Sequence, residues 1–117
     1  MNKDKLVWPN INSEMQRHVV FDDQSKLVPD LPSQEIVLRS LKALRRFFLD
    51  KGLLATNITD ANNELLDMDL KTSDFTDEGL TLIKLKVPSW SDSKSSKKNP
   101  PDMTMLEKAL KEIRLEN

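Results

Sequence analysis

The chain has 117 residues, 38% hydrophobic and 32% charged, with 18 Lys and Arg against 19 Asp and Glu. That length is expected to give one domain over residues 1–117 with a single modest core, burying about 65% of the surface the unfolded chain exposes, and the composition is too apolar for wholesale disorder. The near-balance of charge gives no global field for nucleic acid or an anionic membrane, and the absence of Cys excludes disulfides, thiolate metal ligands and a Cys nucleophile.

The N-terminal "MNKDKLVWPNINSEMQRH" lacks the apolar region of a secretory signal, and no run approaches the roughly 18 apolar residues that span a bilayer. A cytoplasmic protein without membrane contact is therefore expected, in keeping with the missing Cys. Residues 1–16 are expected to be flexible. In "RHVVF" (Arg17 to Phe21) the β-branched pair suits a short strand. "DDQSK" is a turn signal, and "LVPDLPS" is an extended lead into the next element.

The clearest element is a helix over about Gln34 to Lys51. Ser33 is placed to cap it and Glu35 opposes the dipole at its start, while Gly52 supplies the left-handed stop. Ile36, Val37, Leu41, Leu44, Phe47 and Phe48 fall on one stripe that requires burial, so this helix is expected to be the centre of the core. Its other side presents Arg39, Lys42 and Arg46, with Arg45 at the border. Such a basic face suits an acidic protein surface or phosphates, although most amphipathic helices simply wet such a face.

"ELLDMDL" alternates Leu66, Met68 and Leu70 with Asp67 and Asp69, the pattern of an edge strand with two outward carboxylates. In "SDFTDEGLTLIKLKVPSW" two patterns compete. Thr76 as N-cap, with Asp77 and Glu78 in the first turn and a Phe75–Leu80 staple, predicts a helix. The alternation of Ile83, Leu85 and Val87 with Lys84 and Lys86 predicts a strand. The capping chemistry favours the helix, and Pro88 ends the element on either reading. "SDSKSSKKNPPD" has a composition that supplies no packed core, so residues 91–101 are expected to be flexible. A last helix follows, capped by Asp102 or by a Thr104–Glu107 box, with Leu106, Ala109, Leu110 and Ile113 inward. The sum is a small α+β domain of about three helices packed on a short, two-stranded sheet.

Chemistry-bearing constellations are sparse. His18 is the single histidine, and Gly52 and Gly79, the two glycines, lie in no phosphate-cradling loop. Asp60, Glu64, Asp67 and Asp69 crowd "DANNELLDMD", but their spacing and the lack of a glycine bend do not match a Ca²⁺ loop. No catalytic residue, metal ligand or cofactor site is expected. Trp8 in "LVWPN" and Trp90 in "VPSWSD" sit in loop contexts, where an indole either pins the loop to the core or meets a partner. The expected function is a non-catalytic protein-binding module of the immunity-protein, antitoxin-like inhibitor or adaptor type. Its candidate contacts are Arg39, Lys42, Arg46, Trp8 and Trp90. The alternative is a nucleic-acid-binding regulator using the basic face of residues 34–51.

Overall fold

The computed structural model describes residues 4–116 and is an α+β arrangement. Strand β1 (Leu6–Trp8) and the short helix α1 (Ile11–Met15) lead to strands β2 (Val19–Phe21) and β3 (Leu27–Pro29) and the long helix α2 (Leu31–Asp50). An irregular stretch is followed by β4 (Leu70–Lys71), α3 (Asp77–Leu85), α4 (Val87–Asp92) and α5 (Thr104–Leu115), with 3-10 turns at Thr72–Asp74 and Ser95–Lys97. The strands form two separate antiparallel pairs, β1 with β4 and β2 with β3.

Helix α2 starts earlier than its sequence signal. Asp30 rather than Ser33 is the N-cap, its carboxylate accepting from the Ser33 amide at 3.3 Å, and Pro32 occupies the first turn, where a missing N–H costs nothing. Gly52, at φ +69, closes the helix as its position predicts. The stripe, however, is only half core. Leu44, Phe47 and Phe48 are buried in it, whereas Ile36, Val37 and Leu41 lie outside the core cluster and are half-buried. The reason is placement: the residues that complete the core come from Leu53 onward and gather at the C-terminal half of α2.

Phe48 is the centre of that core. Trp8 lies edge-on to it at 4.8 Å between ring centroids, Phe75 at 5.9 Å, and Trp8 and Phe75 meet each other at 4.9 Å. Edge-to-face contacts of this kind add to what area burial alone supplies.

Residues 64–70 correct the expected edge strand. Only Leu70 enters a ladder, opposite Trp8, while Leu65 bridges Thr59 and the Leu66 amide donates to the Ile58 carbonyl at 2.8 Å. The carboxylates explain this. Asp67 accepts from the Ile11 and Asn12 amides at the start of α1, and Asp69 accepts from the Asn10 amide and side chain at 2.7 and 2.9 Å. They face a helix end and its lead-in, not solvent along a strand. Asp4 similarly holds the Ser73 hydroxyl and amide at 2.7 and 2.8 Å.

Hydrogen bonds from the Asn10 backbone and side chain hold the Asp69 carboxyl below its ordinary value of 3.8, and those from the Ser73 side chain and backbone do the same for Asp4. A carboxyl whose pKa is lower folded than unfolded contributes stability that is fully present above 3.8 and lost as pH falls through the lowered value. An Asp4→Asn, Asp69→Asn double variant is expected to show a shallower fall of stability below that pH, measured by chemical unfolding at stepped pH. An acid limb identical to the parent's contradicts this.

The stretch 76–87 is a helix up to Leu85. The Thr76 hydroxyl accepts from the Gly79 amide at 3.1 Å and donates to the Leu53 carbonyl at 3.2 Å, while Glu78 reaches Arg114 of α5 at 3.4 Å. Cap chemistry outweighs the alternation because its groups are fixed locally. At Gly79 an added Cβ would stand 2.5 Å from the Leu53 carbonyl oxygen, a backbone atom with no room to yield. Gly79→Ala, which in an exposed helix would stabilise, is expected here to destabilise by about 1–3 kcal/mol. A raised unfolding midpoint would contradict the close approach of α3 to Leu53.

Pro88 ends nothing for long. The chain breaks at Lys86 and α4 begins at Val87, with Pro88 in its first turn. That turn carries Trp90 inward, fully buried, and its Nε1 donates to the Asp102 carbonyl at 2.8 Å. Beyond it the polar stretch does contribute to the interior: Ser96 is buried, its hydroxyl 3.0 Å from the carbonyls of both Ser91 and Ser93. Asp102 caps α5 from one residue further out than an N-cap, accepting from the Thr104 amide at 3.0 Å, and Leu106, Leu110 and Ile113 are buried with Ala109 against them.

Candidate protein-interaction surface

The residues read as contact candidates are dispersed by the fold. Trp90 is inside, so its indole serves the core. Trp8 is half-buried between Phe48 and Phe75, with the Arg45 guanidinium 5.4 Å over its ring. Arg45 itself is not at a border but buried, 2% exposed, its Nη2 donating to the Pro9 carbonyl at 2.8 Å. Burial pushes this guanidinium below its ordinary pKa, against the opposing effect of Asp67 and Glu14.

Of the basic face, Arg46 donates to the carbonyl and side-chain oxygens of Asn63, and Arg39 pairs with Glu35 at 3.9 Å and reaches the Lys97 carbonyl at 3.4 Å. Lys42 is exposed. The Lys97 ammonium donates to the carbonyls of Ser91 and Ser93, and Lys98 pairs with Asp102 at 3.7 Å. The fold thus brings the lysine loop next to Arg39, but most of the cations are committed to the chain's own oxygens.

His18 is half-buried beside Ser33, Nδ1 to Oγ 3.4 Å. Asp60 accepts from the amides of Asn62 and Glu64 at 2.8 and 3.0 Å, closing its own loop. Among the described residues no group of three or more His, Asp or Glu side chains is disposed to hold a metal ion. Among the described residues no helix is long and apolar enough to cross a membrane.

The largest concentration of exposed apolar side chains lies where no contact was read, on the β2–β3 hairpin and the start of α2. Phe21 is 67% exposed, Leu27 63%, Leu31 69%, Val20 48% and Val19 44%. The hairpin closes through a turn whose geometry is local: the Ser25 amide donates to the Asp22 carbonyl at 3.0 Å, Ser25 has φ 60, and the Asp22 carboxylate accepts from Gln24 and Lys26 at 2.8 and 2.9 Å. Its base is tied by the Asp30 amide and the Gln34 side chain, both donating to the His18 carbonyl. The pairs Val19–Pro29 and Phe21–Leu27 lie on one face and Val20–Val28 on the other, so both faces are apolar. None of these six residues belongs to the core cluster.

A signal for this surface was present in the sequence. The run Val19, Val20, Phe21 has no polar alternation, which a two-stranded hairpin with one wet face would require. No protein-family model, curated protein or solved structure matches this chain.

Proposed function

We propose that the chain is a small non-catalytic protein-binding module, of the immunity-protein, inhibitor or adaptor type, which engages its partner by surface complementarity through the arm formed by the β2–β3 hairpin and the first half of α2. The observation that carries this reading is the exposure of Val19, Val20, Phe21 and Leu27 on the β2–β3 hairpin and of Leu31 at the start of α2. Exposed apolar side chains gathered in this way are uncommon on a chain with no partner.

Capture of tagged protein from its native lysate, with and without nuclease, tests this. A stoichiometric protein partner retained after nuclease, and lost by a Phe21→Lys, Leu27→Lys variant that unfolds like the parent, is the expected result. Retention of the partner by that variant contradicts the assignment of the arm. A second reading, a nucleic-acid regulator, draws on the approach of Arg39 to the Lys94, Lys97 and Lys98 loop. It predicts recovery of nucleic acid that moderate salt removes.

A further inference from the structure

The two edges of the hairpin are not equivalent. The Asp22 amide donates to the Lys26 carbonyl and the Asp30 amide to the His18 carbonyl, both at 2.9 Å, so by alternation Val20 faces Val28 in a hydrogen-bonded pair. Val19 and Phe21 then direct their N–H and C=O groups away from β3, and among the described residues none of these four groups has a hydrogen-bond partner. The outer edge of β3 is poorer, because Pro29 has no N–H to offer. An open edge with donors and acceptors in register is a template for another extended chain.

We propose, building on the module reading above, that the occupant of this edge is a second copy of the same chain, with β2 pairing antiparallel to β2 about a two-fold axis at Val20. Val19 then lies opposite the partner's Phe21 in a hydrogen-bonded pair, and the symmetry repeats the pair, so all four outward groups on each copy are used. Each such pair sets a β-branched side chain against an aromatic one. The four strands β3–β2–β2–β3 form one continuous sheet, an isologous arrangement that closes at two copies.

Charge selects this register over its neighbours. With Val20 on the axis, His18 stands opposite the partner's Asp22, and Arg17 and the partner's Asp23, each in the turn just beyond that pair, come side by side, with each approach occurring twice. Arg17 is exposed, and among the described residues it pairs only with Glu14, at 3.6 Å. A slip of the register one way sets Arg17 against the partner's Phe21. A slip the other way sets Asp22 against the partner's Val20. Only the central register matches cation to anion at both ends while using both outward residues.

The chain has no Cys, so single thiols report the register cleanly. Facing residues of a non-hydrogen-bonded pair have Cα atoms about 4.5 Å apart, within disulfide range, whereas diagonal neighbours lie about 7–8 Å apart. In a glutathione redox buffer, Val20→Cys is expected to become a covalent dimer, whereas Val19→Cys, similarly exposed, is expected to remain monomeric. Arg17→Asp is expected to weaken dimerisation of the otherwise unmodified chain about tenfold in sedimentation, since two like-charged pairs replace two opposite ones. Adding Asp23→Arg is expected to restore it. A monomeric mass at every concentration, or equal cross-linking of the two Cys variants, overturns the second copy. If the chain is monomeric yet a different protein is lost by Phe21→Lys, Leu27→Lys, the second copy fails while the module reading stands.

Discussion

Trp90→Ala is expected to destabilise the protein by about 3–5 kcal/mol, the range for removing a large aromatic side chain from a closed core. The indole is fully buried and its Nε1 donates to the Asp102 carbonyl at 2.8 Å, so truncation leaves both a cavity and an unpaired acceptor. Trp90 also joins α4 to the residues just before α5, across a polar stretch whose single buried side chain is Ser96. Trp90→Phe, which keeps most of the volume but loses the donor, is expected to fall between the two. Urea unfolding checks both, and an Ala variant within 1 kcal/mol of the parent, far below the loss expected for such a site, would mean that the ring is not held inside.

Phe48→Ala is expected to have an effect of the same size, about 3–5 kcal/mol, for a different reason. Phe48 is fully buried and touches the rings of Trp8, Phe75 and Phe47, which come from β1, the lead into α3, and α2 itself. Its loss opens a hole shared by several elements, so collapse from one side cannot fill it. The expected readout is a lowered midpoint with a blue-to-red shift of Trp8 fluorescence as that indole loses its neighbours. A variant that unfolds like the parent would move the centre of the core elsewhere.

What the sequence revealed follows from how far each residue's determinants lie along the chain. Thr76 capping Gly79, the stop at Gly52 and the turn at Asp22 to Lys26 were all legible, because each is decided by groups within four residues. Asp67 and Asp69 were misread as the wet side of a strand. Alternation is equally the result when carboxylates turn toward amides 56 residues earlier, and no local rule separates the two. Arg45 fell at the edge of the basic face in a helical projection, and only the arrival of Trp8 and Pro9 over it makes it interior. Pro88 was read as ending the helix, but the break falls at Lys86 and Val87 is already helical again, because a proline is welcome in the first turn of a new helix, which is how Trp90 reaches the core.

The interaction surface was the least legible part. "RHVVF" was read as a strand, and it is one, but whether a strand is covered depends on what the rest of the chain places above it. Here α3, α4 and α5 gather around the other end of α2, leaving Phe21, Leu27 and Leu31 without cover. Among the residues read as contacts, Arg39 and Arg46 were drawn onto carbonyls of their own chain, and Trp90 was drawn inside.

The most direct test of the arm as the binding surface is amide hydrogen exchange across β2, residue by residue, in the dilute chain and in the complex it forms, whether with itself at high concentration or with a captured partner. The account predicts that Val19 and Phe21, whose amides point outward, exchange fast when the chain is alone and become protected in the complex, while Val20, already paired with Val28, changes much less. Protection that appears on the basic face of α2 instead, with Val19 and Phe21 still exchanging freely, would contradict it.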